Sequence, residues 1–572
     1  MTRRARIGVA AAAVCSALVL PAAAAAHAYL TKTFPEASAL VGSPPRSVQL
    51  TYDEAVEPRF AIISVTDVGG HAVTDGTVKR SPANPDTLVV PLKRIPEGWY
   101  LVYWRAISVD GHPVQGAFTF AVGPNPGPAP QFAIPHVAGT ATSPHLVVLK
   151  WLAFLTVMTA IGLFVMRALI ARPLVSRVQG TSLRALSIAF SVAAVLGLLA
   201  VPSYLEEATA IDSLRGFWAL NAVVRLWRVT AFGRGYVDLE LCFALFCIAA
   251  WIAIWADRPE RPARSVASLL ATAGAVAGAA AVLLVPGVVG HAAQTSPRAL
   301  TVAFDWLHLV SGSIWIGGLA GLLVLWRALP RERRVAGLVV VVPRFSNVAF
   351  VSVLVLLGSG IGESVDHLPT LDALWLTSYG KVILIKAGIL LAAMLLASVN
   401  LLKTKPGLAR AERADGAARL LRRLVAVEAL LVAGAILAAS VLSSLAPPPP
   451  AFAKEGSALA HVGPGKVVAS VKVNGYTLQA LVSPNKAAAP DSFGLKLTRN
   501  GKPVSGADVT LGFDMLDMEM PFQEYQLAET APGLYARTTP ALVMVGHWAL
   551  TYTVTPKGGR QFSALIVDRA SG

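Results

Sequence analysis

The sequence predicts a multi-domain membrane protein: an N-terminal β-sandwich, an eight-helix transmembrane bundle and a C-terminal immunoglobulin-like β-sandwich. Three observations carry that prediction. Of 572 residues, 55% are hydrophobic and only 14% charged, against about 25% charged in an average soluble domain, and the mean hydropathy is +0.59. Between residues 145 and 445 lie eight apolar stretches, each of roughly the 20 residues that a helix needs to cross the hydrocarbon core. On either side, residues 27–122 and 466–572 alternate apolar and polar residues in short runs broken by Gly, Pro and Asp, which is the pattern of compact antiparallel sheets.

In chain order, residues 1–26 read as a signal peptide. Arg3, Arg4 and Arg6 form a basic head, an apolar run follows over 7–20, and Ala24-Ala25-Ala26 supplies a small-residue cleavage site. The mature chain is then expected to begin at His27. Within 27–122 the runs 47–52, 60–65, 87–91 and 99–106 are predicted strands, and the Gly- and Pro-rich 123–144 a linker. Spans are predicted near 145–170, 184–202, 236–256, 264–287, 303–326, 345–361, 379–402 and 422–445. Residues 446–465 open with four prolines and read as a second linker. Strands then follow near 467–473, 476–482, 494–497, 509–513 and 547–554.

Charge distribution sets the orientation. With the N-terminal domain outside, the loops after spans one, three, five and seven hold 19 Lys and Arg, whereas the three outward loops hold five, as the positive-inside rule requires. Both β domains are therefore expected to be extracytoplasmic, and the chain to sit in the plasma (inner) membrane. The same distribution assigns the formal charge of +16: residues 127–446 carry +12 of it, while 27–126 carry −1 and 447–572 carry +2. Basic residues clustered between apolar spans answer to a lipid bilayer and not to nucleic acid. Cys15, Cys242 and Cys247 are the only cysteines, too few for a disulfide framework or a thiolate metal site.

His27 carries the most chemical information. Cleavage before it exposes an α-amine, of ordinary pKa about 7.7–8.0, beside its own imidazole. Amine plus imidazole from one residue and a second imidazole from elsewhere make the tetragonal nitrogen set that Cu(II) favours. Asp110-Gly111-His112 offers that second imidazole and a carboxylate. In the membrane region, Asp305 and His308 are three apart and share a helix face, with His291 at the outer end of the preceding span. They are either copper ligands along a pathway or hydrogen-bonding groups between helices. Ser313, Gly317 and Gly321 form a small-residue stripe suited to close helix packing. Lys386 is expected to pair with a carboxylate such as Asp305, and Glu428 to snorkel at the inner face. Four of eight Met lie between 515 and 544. Met515, Met518, Met520 and Met544 with His547 are either a thioether-rich Cu(I) site or gap-filling core residues. His71, His136, His367 and His461 show no partner pattern and are read as surface residues.

Several stretches resemble known families. His27-Ala28-Tyr29-Leu30, Leu50-Thr51-Tyr52-Asp53-Glu54-Ala55-Val56, and Tyr103-Trp104-Arg105-Ala106 running on to Asp110-Gly111-His112-Pro113 are similar to the periplasmic copper-binding CopC family. That resemblance implies a Cu(II) site made by His27, His112 and Asp110, with Glu54 as an acidic residue near the metal. Because no Met lies between residues 27 and 150, Cu(II) alone is expected there. Gly290-His291, Trp306-Leu307-His308, Ser313 through Gly318, Arg344-Phe345-Ser346, Tyr379-Gly380-Lys381 and Glu428 resemble the CopD family of inner-membrane copper-resistance proteins. Gly506 through Phe513, Met518-Glu519-Met520-Pro521, Gly533-Leu534-Tyr535 and Gly546-His547-Trp548 resemble the YtkA-like family. The order is that of fused CopC–CopD proteins.

The expectation is thus a non-enzymatic protein that binds and imports or handles copper, with copper ions, the bilayer and an extracytoplasmic copper chaperone or reductase as partners. No phosphate-binding loop is present, which argues against ATP as the energy source. The alternatives are a copper- or haem-dependent membrane oxidoreductase, with His291 and His308 as the haem ligands on offer, and a copper buffer or sensor that transports nothing.

Overall fold

A computed structural model of the protein describes residues 30–571 except 37–38, 53–55, 57, 59, 108–112, 127–143, 214–230, 262, 290–296, 446, 488, 518–522 and 544. The signal segment 1–26 expected from the sequence lies outside the described residues.

Period-two alternation builds the N-terminal domain. Its strands are β1 (Leu30–Phe34), β2 (Leu40–Val41), β3 (Ser47–Tyr52), β4 (Ile62–Asp67), β5 (Lys79–Arg80), β6 (Thr87–Pro91), β7 (Gly98–Ile107) and β8 (Pro113–Val122). They form two four-stranded sheets, ordered β1-β3-β6-β5 and β2-β8-β7-β4. Every second residue points between the sheets: Val48, Leu50 and Tyr52 from β3, Tyr100, Val102 and Trp104 from β7, and Phe118 and Phe120 from β8 are all buried in one core.

The C-terminal domain follows the same rule with β9 (Ala460–Val462), β10 (Val467–Val473), β11 (Tyr476–Ser483), β12 (Asp491–Arg499), β13 (Lys502–Pro503), β14 (Asp508–Met515), β15 (Gln523–Gln526), β16 (Ala528–Ala531), β17 (Leu534–Thr539), β18 (Gly546–Thr555) and β19 (Phe562–Ala570). One sheet runs β10-β11-β12-β17-β16, with β13 hairpinned onto β12, and the other runs β15-β14-β18-β19-β9. Leu478, Phe493, Leu495, Phe513, Trp548, Leu550 and Ile566 fill the space between them.

Among the described residues, eight helices are long and apolar enough to cross a membrane: α1 (Pro144–Val165), α2 (Arg184–Ser213), α3 (Ala231–Ala256), α4 (Val266–Val289), α5 (Arg298–Ala328), α6 (Arg331–His367), α7 (Ser378–Val399) and α8 (Ala414–Leu442). Helix α1 packs on α2, α5 and α8, while α3 pairs with α4, α5 with α6, and α7 with α8. Two differences from the sequence reading matter. The Arg-rich stretch 327–344, expected as a loop, is mostly the first half of α6, whose 37 residues make a rod of about 55 Å. Hydropathy reports only which part of a helix sits in hydrocarbon, and here the helix continues through its charged end, burying Leu338, Val341 and Val342. Glu428 does not snorkel: at 3% exposure it accepts from Trp315 Nε1 at 2.8 Å and from Asn400 Nδ2 at 3.2 Å.

The small-residue stripe packs as expected. A Cβ on Gly162 of α1 would collide with the Ser313 carbonyl and with Gly317 of α5, and a Cβ on Gly317 would collide with the Gly162 backbone. Backbone against backbone leaves no flexible side chain to give way. Replacing Gly162 or Gly317 by Val is expected to cost about 1–3 kcal/mol and to lower the unfolding temperature of detergent-purified protein, whereas Ser313→Ala, which loses a bond to its own helix at Leu309 O, leaves it nearly unchanged.

Candidate metal centres

His27, Glu54, Asp110 and His112 lie outside the described residues, but the frame that carries them is described. Leu30 pairs with Tyr52 where β1 meets β3, so His27 is three residues before one member of that pair and Glu54 two residues after the other. The ring of Tyr52 meets that of Trp104 edge-on, at 5.7 Å between centroids. Trp104 stands on β7, whose hairpin with β8 closes at the pair Ile107 and Pro113, leaving residues 108–112 as its connection. Gly116 of β8 pairs with Trp104, and a Cβ there would come within 2.8 Å of the indole; glycine lets the ring lie across the strand. In the sequence, Glu54 follows Tyr52 by two residues, and Asp110 and His112 fall between β7 and β8. The Tyr52 hydroxyl is buried without a hydrogen-bond partner among the described residues, and burial raises its pKa far above the usual phenol range, so it stays a neutral phenol.

The membrane bundle gathers a second group. His308 of α5 has Nδ1 3.2 Å from Ser359 Oγ of α6, and Ser359 in turn donates to Leu356 O at 3.2 Å. With that hydroxyl committed, Nδ1–H is the donor and Nε2 carries the lone pair. Lys386 of α7 lies 3.4 Å from Nε2 and donates to it. The expected partner of Lys386, Asp305, acts on it electrostatically, as does Glu363 of α6; the close contact is with the imidazole instead. Asp305 turns toward α4, where a Cβ on Gly287 would stand 2.8 Å from its Oδ2. His291, four residues beyond Gly287, lies outside the described residues. Sequence reading missed Ser359 and Glu363. Glu363 was assigned to a loop because span six was cut at 361, yet it is four residues beyond Ser359 on one helix, which places the two on one face. Among the described residues no three His, Cys, Asp or Glu side chains converge as a metal site. Their meeting point is a polar network around Lys386 and His308.

In the C-terminal sandwich, Met515 is 3% exposed and packs in the core beside Gly546. Met518, Met520 and Met544 lie outside the described residues. His547 at the start of β18 is half-exposed; its backbone N–H donates to Asp517 Oδ2 at 2.8 Å and its Nδ1 lies 3.0 Å from Asp517 Oδ1. In the neutral ring Nδ1–H is the donor, which leaves Nε2 as the ligating nitrogen, the carboxylate–histidine arrangement that commonly orients metal ligands. His71 and His461 are exposed and paired, with Asp67 at 3.3 Å and Glu455 at 2.8 Å, consistent with surface roles.

Three family models match separate stretches: the CopC domain over residues 30–123, copper resistance protein D over 339–442 and YtkA-like over 470–553. The second runs from α6 through α8. Among curated proteins, the copper transport protein CutJ of Bacillus subtilis (strain 168) is 26% identical over 544 residues, 93% of each chain. Protein YobA of Escherichia coli (strain K12) is 36% identical over 98 residues, 17% of this chain and 79% of its own. A solved structure of CopC from Methylosinus trichosporium OB3b is 31% identical, covers 18% of this chain and 99% of its own, and gives a TM-score of 0.17.

The Asp517 hydrogen bond raises the pKa of His547 above its ordinary value, with partial burial opposing it. A His whose folded pKa exceeds its unfolded value, about 6.5, adds stability fully below that pH and loses it as pH rises through the folded pKa. Asp517→Asn is expected to move the His547 midpoint downward in an NMR titration of the full chain; an unmoved midpoint would remove Asp517 from this role.

Proposed function

The chain belongs to the CopC family through its first described domain and carries CopD and YtkA-like domains behind it, and from that descent we propose that it handles copper at a membrane, capturing Cu(II) outside and passing it to the membrane domain for import. The observation that carries this reading is the convergence of two strand ends on the Tyr52–Trp104 contact. In the sequence His27 precedes β1, Glu54 follows β3, and Asp110 and His112 lie between β7 and β8; the proposed ligands are the His27 amine and imidazole, His112 and Asp110, with Glu54 as a further acidic residue, and nitrogen-rich tetragonal sites select Cu(II). The kinship with a protein named for copper transport over 93% of both chains extends the reading to the membrane domain.

In that domain His291, Asp305 and His308 are the proposed path. For His308 Nε2 to take copper, Lys386 has to leave it, so the ammonium holds the position of an arriving cation until it is displaced. A carboxylate beside the path offsets charge that hydrocarbon makes expensive. The C-terminal domain is proposed to hold Cu(I) through His547 Nε2 and thioethers of Met518, Met520 and Met544, with Met515 on the core side. The chain is placed in the plasma (inner) membrane with both sandwiches extracytoplasmic, where a copper chaperone or reductase would meet it.

Two outcomes follow from these assignments. The full chain with a free His27 amine should bind Cu(II) in a nitrogen-rich site visible by electron paramagnetic resonance. Placing one residue before His27, or making His112→Ala, should weaken binding by more than the about 10–100-fold that loss of an outer-shell partner costs; unchanged affinity in both sinks the site.

For transport, His308→Ala, and more weakly His291→Ala, should abolish copper accumulation in proteoliposomes while Cu(II) binding persists. Uptake at the wild-type rate in the stably expressed double variant would place the pathway elsewhere.

A further inference from the structure

The C-terminal sandwich contains a buried cluster that the copper reading does not use. Asn485, Asp491 and Asp568 are each 0% exposed. The turn after β11 is held by Asp491 at the start of β12, whose Oδ1 accepts from the Asn485 and Lys486 backbone amides at 2.6 and 3.1 Å. Asn485, in the left-handed region at φ 66°, donates through Nδ2 to Asp568 Oδ1 of β19 at 2.9 Å. That amide nitrogen also lies 3.0 Å from Gly465 O and 3.4 Å from Arg569 O. Three oxygens remain buried with no hydrogen-bond partner among the described residues: Asn485 Oδ1, Asp491 Oδ2 and Asp568 Oδ2.

A buried carboxylate oxygen without a donor is costly, and two carboxylates near each other more so. Burial pushes each carboxyl up to about 6, and Asp568 also acts electrostatically on Asp491. Among the described residues, no Lys or Arg forms an ion pair with either carboxylate; the His547 imidazole acts on Asp568 electrostatically. We propose that Asn485, Asp491 and Asp568 form a site for a hard divalent cation, of the calcium class, that joins the 483–491 turn to β19. The free donors are all oxygen, from two carboxylates and one amide, which suits Ca²⁺ and offers copper neither nitrogen nor sulfur. Two carboxylates balance a charge of +2. Calcium also tolerates irregular geometry, whereas Mg²⁺ demands an octahedron completed by waters. Asp568 pairs in register with Trp548, the residue after His547, so the bound cation stiffens the strand pair that carries that histidine.

The test is calorimetric titration of the full chain in nanodiscs, stripped with a chelator, against CaCl₂, with Tb³⁺ luminescence excited through Trp548 as a second readout. One Ca²⁺ per chain, a higher unfolding temperature with Ca²⁺, and sensitised Tb³⁺ emission that Ca²⁺ competes away are expected. Asp568→Asn and Asp491→Asn should each weaken Ca²⁺ at least 100-fold, and Trp548→Phe should remove the emission without removing binding. Wild-type protein that takes up no Ca²⁺ overturns the proposal. So does Ca²⁺ affinity unchanged in the folded Asp variants. Should those variants fail to fold, Tb³⁺ emission that survives in Trp548→Phe overturns it, because the ion then sits elsewhere.

Discussion

An ionisable side chain placed among transmembrane helices has to find its partner within the protein, because hydrocarbon supplies none. That constraint organises the middle of this chain. Arg167 and Arg172, at the end of α1, close on the Asp257 carboxylate just past α3 at 3.1 and 3.0 Å. Glu428 is satisfied by an indole and an amide from α5 and the segment after α7. Lys386 lies against the His308 imidazole, with Asp305 and Glu363 around it. Each pairing ties together segments distant in sequence.

The Lys386–His308 contact has the further property of being exchangeable. An ammonium and a metal cation compete for the same lone pair, and the surrounding carboxylates serve either one. On the proposed pathway, the ammonium would supply the compensating charge when copper is absent. Ser359 fixes the tautomer that leaves Nε2 available.

In the two sandwiches the work of positioning falls to strand ends. A core of alternating side chains fixes register, and register places chemistry at the edges. Tyr52 and Trp104 meet across one core. In the other, the pairing of β18 with β19 sets His547 opposite Arg569 and Trp548 opposite Asp568, bringing a soft-metal candidate and an oxygen-rich cluster onto adjoining strands without sharing a ligand.

The sequence alone determined the class of the protein: eight spans, two flanking β domains, and the kinship that points to copper. Hydropathy over about 20 residues and alternation over about six are local properties, read without knowing what any residue touches. His27 and His112 are proposed as ligands for a related reason, since a cleavage site and a short motif are contiguous in the chain. Only the tertiary structure decided that α6 continues through its arginines, that Lys386 meets His308 and not Asp305, that Glu428 is buried under Trp315, and that Met515 belongs to a core. It also decided that Asn485 and Asp491 share a buried hydrogen-bond network with Asp568. Those outcomes depend on how helices are rotated and strands are registered against partners 78 or more residues away, and a one-residue slip or a modest helix rotation would exchange the partners while leaving every local pattern unchanged.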